Sequence, residues 1–343
     1  MESRKVQVTG KSTYIVTLPK KWAKKAKLEG GETVSMSYLD DGSLVIAPPD
    51  WKHADRNLKI SFEDNVKRLK REIVGIYILD EYTSIEIIGK NLDKEMKKEI
   101  KHLCKGLIGF EVVEDIDDRM IINDFLEKEE LTISHALKRM SSIVYLMMDE
   151  LVIAMQEQND NLFIEVISRD DDVDRMYLLI SKQYISRLHL HPPSKKDKLS
   201  LIESFYYRMA AEDVEKLMWL MCSKEKKSFY YRMAAEDVES IADHVTKIAA
   251  ICKELSLSDE QRSLICQLIL DSQKYFMDII DIFRHVEKEK AHSLLDSEMS
   301  SSSDLLELRD NAEPEIKIVI DSIKRIREYA KKITEYTIDL SQL

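Results

Sequence analysis

The sequence predicts a multidomain protein in three parts: a small β-rich module, a small α/β connector domain, and an all-α region made of a pair of three-helix bundles. Three observations predict it. Strand-like runs broken by Gly, Pro and Asp-Gly crowd the first fifty residues. Strand and helix periodicities alternate through residues 57–125. From Leu131 onward the pattern is almost wholly helical.

In the first part, residues 4–9 (RKVQVT) alternate as a strand, Gly10 and Lys11 turn the chain, and residues 13–18 (TYIVTL) form a second strand. Pro19 opens a short helix, KKWAKKAK, because proline fits a first helical turn. Gly30-Gly31 ends it, and residues 32–38 and 43–47 flank Asp40-Asp41-Gly42 as a hairpin. This ββαββ module, residues 1–50, is too small to bury a core alone, so dimerisation is expected. Trp22 reads as a core residue of that module. The second part, residues 55–126, places strands near 58–61, 83–88, 110–115 and 119–123, with helices near 63–79 and 93–107. It carries no glycine-rich phosphate loop and no catalytic cluster, and reads as a connector or dimerisation domain.

In the third part Ile133, Leu137, Met140, Ile143, Val144 and Met147 form an apolar stripe at helical spacing. Breaks at Asn159-Asp160, His191 to Pro193, Ser256 to Asp259, the serines 300–303 and Pro314 leave six helices in two sets of three. The first set spans residues 130–255 and the second 257–343. The run SFYYRMAAEDVE occurs at 204–215 and again, identically, at 228–239. An offset of 24 residues is not a whole number of helical turns, so one straight helix cannot present both copies on one face. Either the helix breaks near Ser223 to Lys227, or one copy points elsewhere.

Apolar residues at 44% and charged residues at 34%, with 8 Gly and 6 Pro in 343 residues, suit a soluble helix-rich protein with sizeable cores. The net charge of −11 is unevenly spread. Through Lys27 the chain carries Arg4, Lys5, Lys11, Lys20, Lys21, Lys24, Lys25 and Lys27 against Glu2 alone, a net +7 that leaves −18 for the remainder. A compact basic segment in an acidic chain points to a polyanion at the front. The cysteines Cys104, Cys222, Cys252 and Cys266 are scattered through helical patterns without a CxxC pair, as in a reduced cytosolic protein. The N-terminus lacks an apolar signal core, and the most apolar stretch, Ser142 to Met155, is broken by Asp149 and Glu150. A cytoplasmic location is expected. No HExxH, nucleophile elbow or phosphate loop points to an enzyme.

Residues 3–48 carry an RKV strand, a Gly turn followed by a basic residue, an LPKxW helix start, an LxxGG turn and a DGSLVIxP hairpin. In these features the segment resembles the SpoVT/AbrB swapped-hairpin family, whose intertwined dimers form a small β-rich barrel and bind DNA. The resemblance implies DNA contacts from Arg4, Lys5, Lys11, Lys20, Lys21 and Lys24, and Lys25 and Lys27 extend the patch. Lysines position phosphates more than they read bases, and Arg4 is the one side chain there suited to a bidentate guanine contact. Low intrinsic sequence specificity is therefore expected.

Two later stretches, SRDDDVDRMYLLI at 168–180 and YRMAAEDVESIADHVTKIA at 231–249, resemble PhoU proteins, with Ser240 in place of the usual Arg. That family is built of two three-helix repeats, and its E/D-x-x-x-D motifs hold clusters of metal. The resemblance places such ligands at Asp170 with Asp174 and at Glu239 with Asp243, with Asp171 and His244 as helpers. Fe, Zn, Mg or Ni are the metals expected. Carboxylates at i and i+4 share one helix face, and two such helices side by side gather four acids that repel one another unless a cation neutralises them. The plain alternative is a solvated acidic face salt-bridged to Arg175, Arg232 or Lys247. In the second repeat the matching acids fall on Lys324 and Glu328, and Asp296 has no D-x-x-x-D companion, so no second cluster is expected. The second copy of the duplicated run is read as the functional one, because SIADH follows it, whereas KLMWLM follows the first.

Together these resemblances imply an archaeal-type transcriptional regulator of phosphate uptake. The expected partners are DNA, a second copy of the chain, and components of a phosphate ABC transporter or a signalling protein. The alternative is an adaptor that acts on the transporter or a histidine kinase without touching DNA.

Overall fold

The computed structural model describes residues 3–10, 12–38, 44–48, 56–62, 65–89, 92–126, 132–189, 223–298 and 313–343. It divides into two compact units, Met1–Asp55 and Arg56–Leu343.

In the first unit β1 (Gln7–Thr9) and β2 (Thr13–Ile15) pair antiparallel across Gly10, whose φ of 66° is the left-handed conformation a tight turn needs. Pro19 caps helix α1 (Lys20–Lys25), standing one position before the first turn. Lys24 and Lys25 in the last turn complement the helix dipole. Strands β3 (Ser35–Tyr38) and β4 (Leu44–Ala47) form a second antiparallel pair. The expected Asp-Gly turn between them falls outside the described residues. None of this unit's described residues is buried. Val8 is 62% exposed and Tyr14 75%, and Val6, Val16, Met36 and Leu44 are exposed with them. Trp22 is half-buried rather than a core residue, because no other described residue of the unit is buried with it.

The second unit opens with a four-stranded sheet in the order β5-β6-β8-β7. Strand β5 (Asn57–Ser61) runs parallel to β6 (Ser84–Ile88), and β8 (Arg119–Asp124) pairs antiparallel with both β6 and β7 (Phe110–Ile116). Helix α2 (Val66–Leu79) starts on an Asn65 cap, and α3 (Lys94–Lys105) on an Asp93 cap. Both pack on one face of the sheet. There Ile73, Tyr77, Ile85, Ile87, Ile100, Met120 and Ile122 are essentially inaccessible.

Seven helices follow among the described residues, where the breaks in the sequence predict six over the whole region. They are α4 (Ile133–Glu157), α5 (Asp160–Ser168), α6 (Asp170–His189), α7 (Ser223–Glu254), α8 (Asp259–His285), α9 (Lys288–Glu298) and α10 (Pro314–Leu340). The additional breaks lie at Arg169 and at Val286, whose φ of 55° is costly for a β-branched residue. Helices α4, α6 and α7 make one set, and α8, α9 and α10 the other. Helix α7 packs on α4 and α6 and also on α10, and α8 packs on α4, so the two sets share one continuous core. The second copy of the duplicated run lies in α7, where Phe229, Ala234, Ala235 and Val238 are essentially inaccessible. The first copy falls outside the described residues.

Candidate functional site

Two surfaces hold the residues with functional chemistry. On the first unit, Lys20, Lys21, Lys24 and Lys25 form two i,i+4 pairs on α1, all exposed. Among the described residues none of the four is ion-paired. Arg4 and Lys5, exposed, lead into β1. Lys11 lies outside the described residues.

The acidic site is built on the joint between α5 and α6. Arg169 ends α5 and donates two hydrogen bonds to Glu150 of α4, at 2.7 and 2.6 Å. This bidentate clamp fixes where α6 begins, and Asp170 and Asp174 follow one turn apart. Helix α7 packs alongside and brings Glu239 and Asp243 within electrostatic reach of them. Their electrostatics show the convergence. Burial, then the charges of Asp174 and Asp243, push the Asp170 carboxyl up to about 6. Burial, then Asp243, Asp174 and Asp170, push Glu239 up to about 7. Asp174 is also raised, by desolvation against the bundle and by the charges of Asp243 and Asp171.

The nearby cations do not relieve this repulsion. Arg175 pairs with Asp172 at 3.4 Å, and Arg232 with Glu236 and the Tyr177 hydroxyl. Among the described residues none of the four acids is ion-paired; Asp174 and Asp243 are exposed to solvent, and Asp170 and Glu239 are half-buried. Asp170 Oδ1 is buried without a hydrogen-bond partner. His244, half-buried, stacks near Tyr329 with ring centroids 5.9 Å apart, and its Nδ1 also lacks a partner. Four carboxylates with an orphaned buried oxygen suit a hard divalent cation. Among the described residues, however, no three His, Cys, Asp or Glu side chains stand close enough together to hold one. In the second repeat Lys324 and Glu328 pair at 3.6 Å, one turn apart on α10.

Beside the acids, a cleft of about 450 Å³ separates the end of α3 (His102, Lys105) from Asp171, Asp174 and Arg175 of α6. Deeper along α6 the sequence reading missed a buried cation. Lys182 is 2% exposed and meets Asp124 directly, with Asp80 at 3.6 Å. Its ammonium stands 4.4 Å from the centre of the Tyr77 ring and 5.0 Å from that of Phe110. This group ties the α/β part to the bundle. Its one sequence signal is a lysine three and seven residues past Leu179 and Arg175, on the helix face that carries Leu178.

The fold therefore defines a class: a small β-rich module with no buried residue among those described, followed by an α/β part and a PhoU-type helical bundle. Comparison with known families gives the same two ends. The family model of the antidote-toxin recognition protein MazE, a bacterial antitoxin, matches residues 7–52, and the PhoU domain model matches residues 137–217. The chain thus carries a MazE/AbrB-type domain followed by a PhoU domain. The PhoU match runs from α4 through α6 into the first copy of the duplicated run, whereas the copy seated in the core is the second. No curated protein matches the chain. No described helix is long and apolar enough to cross a membrane.

Proposed function

We propose that this chain is a cytoplasmic DNA-binding transcriptional regulator of phosphate uptake rather than an enzyme. A dimer of the front module grips duplex DNA, and the PhoU domain answers to a metal ion or a protein partner. The observation that carries this reading is a front unit with no buried residue among those described, and an exposed helix whose lysines make no ion pair among the described residues. A module that exposes Val8, Tyr14 and Met36 needs a second copy to cover them. Pairing doubles the +7 of each front segment, which suits phosphates. The MazE/AbrB-type match supports DNA as the polyanion. The PhoU match supports the link to phosphate, with phosphate ABC transporter components or a signalling protein as the partner.

Asp170, Asp174, Glu239 and Asp243 are the residues proposed to hold the metal, which would supply the positive charge that their mutual repulsion calls for. Binding has to draw the side chains closer than they now stand. Metal content of the purified protein tests this: about one equivalent is expected, lost in Asp174→Asn/Glu239→Gln, and a metal-free protein that ignores added divalent ions contradicts it.

Fluorescence anisotropy with a labelled duplex tests the central reading. The wild type is expected to bind at low salt, and Lys20→Glu/Lys21→Glu/Lys24→Glu to lose at least about tenfold in affinity. A wild type that ignores duplex at low salt overturns the reading and leaves the adaptor role.

A further inference from the structure

The sheet of the second unit has two unlike faces. One is filled by α2 and α3. The other exposes Ile88 (37%) and Ile116 (53%), with Ile121 half-buried among polar side chains. Across it run four charges, one from each strand. Lys59 on β5 pairs with Glu86 on β6 at 2.8 Å. Arg119 on β8 reaches Glu86 at 3.1 Å and Glu114 on β7 at 3.5 Å. In the spatial order of the strands the row reads plus, minus, plus, minus.

Such a row is complementary to its own reverse. If a second copy is turned by 180° about an axis parallel to the strands, between β6 and β8, Lys59 faces Glu114 of that copy, and Glu86 faces its β8 at the level of Ile121, where the Arg119 side chain, two residues along, leans into the row. A two-fold axis at right angles to the strands would instead set like charges together. The row therefore admits one of the two face-to-face arrangements, an isologous contact between aligned sheets. We propose that this open face is a second self-association surface, on which two copies of the chain pack sheet against sheet. The ion-pair row sets the orientation, and Ile88, Ile116 and Ile121 supply the apolar contact.

Four strands of about five residues offer a face of roughly 19 by 17 Å, less than a lone stable dimer needs. The contact therefore closes between chains already held together, and in this it rests on the pairing of the front modules. That pairing supplies the high effective concentration.

The test uses the full-length protein. Light scattering reports the pairing, and a short bismaleimide reports the sheet contact in an Ile121→Cys variant. The parent and a Lys67→Cys variant, on the outer side of α2, are the controls. The expected result is a two-chain mass for all three, with rapid cross-linking confined to Ile121→Cys. Adding Arg119→Glu lowers the cross-linking about tenfold, and adding Glu86→Arg to that protein restores it. A two-chain mass without cross-linking specific to Ile121→Cys overturns the sheet contact and leaves the front pairing standing, the result expected if the face is simply solvated. A one-chain mass overturns both.

Discussion

Lys182 offers the sharpest test of how the α/β part and the bundle are joined. Its side chain is 3% exposed, and the Asp80 and Asp124 side chains against it are 4% and 11% exposed. Replacing Lys182 by Met keeps the aliphatic volume and removes the ammonium that meets both carboxylates and both rings. Breaking a buried pair by deleting one partner costs about 3–5 kcal/mol, because the remaining charge is stranded. The lost contact with Tyr77 and Phe110 adds up to about 2 kcal/mol. A net loss of about 4 kcal/mol corresponds to a Tm lower by about 10 °C in a unit of this size. Urea denaturation followed by circular dichroism measures it. Lys182→Met/Asp80→Asn/Asp124→Asn, which strands no charge, is expected to recover most of the loss. A single variant within about 1 kcal/mol of wild type, or a triple variant no better than the single, refutes the argument.

Three further outcomes follow from the same geometry. In the metal-free protein Glu239 and Asp170, pushed up to about 7 and about 6, bind protons in the folded state that the unfolded chain has already released. Their contribution to stability is full below the ordinary carboxylate range and is lost as pH rises through about 6 and about 7, so Tm should climb from pH 8 to pH 5. Glu239→Gln should flatten that rise by about 1 kcal/mol after solvent screening, and an unchanged pH profile would contradict the convergence of the acids. Phe229→Ala should cost about 3–5 kcal/mol in thermal or urea melts, and the same change at Phe205 is the control that shows which copy of the duplicated run fills the slot. Gly109 has φ 94°, and a Cβ there would lie 2.6 Å from Leu126 Cβ, so Gly109→Ala should destabilise the α/β part by about 2 kcal/mol.

The α/β elements were legible because period-2 and period-3.6 patterns alternate there, and because Asn65 and Asp93 are ordinary helix caps. That no described residue of the front unit is buried was legible from its size. The helix breaks at Arg169 and Val286 were not, since neither position carries Gly or Pro. The Arg169–Glu150 clamp that sets the first break spans 19 residues. The acid pairs showed in the i,i+4 spacing of Asp170 with Asp174 and of Glu239 with Asp243. Their convergence depends on α6 packing against α7, which no local pattern encodes. The duplicated run could not choose its own place, because twelve identical side chains fit one slot equally well. The residues that follow decide: Ile241, Ala242 and Val245 are fully buried in α7, at positions where the first copy would bring Leu217, Met218 and Met221. Three residues further on, the buried Ile248 and Ala249 would become Lys224 and Glu225. Lys182 was hidden because a lysine in an apolar helix reads as a surface residue until its two carboxylates, 58 and 102 positions away, are brought to it.

The central claim is that two front modules hold duplex DNA through their lysines. The salt dependence of full-length protein binding to a duplex tests it most directly. With six or more phosphates neutralised by the paired modules, the logarithm of the binding constant should fall with the logarithm of salt at a slope of about −5 or steeper. A slope near zero, or no binding at the lowest salt, would contradict it.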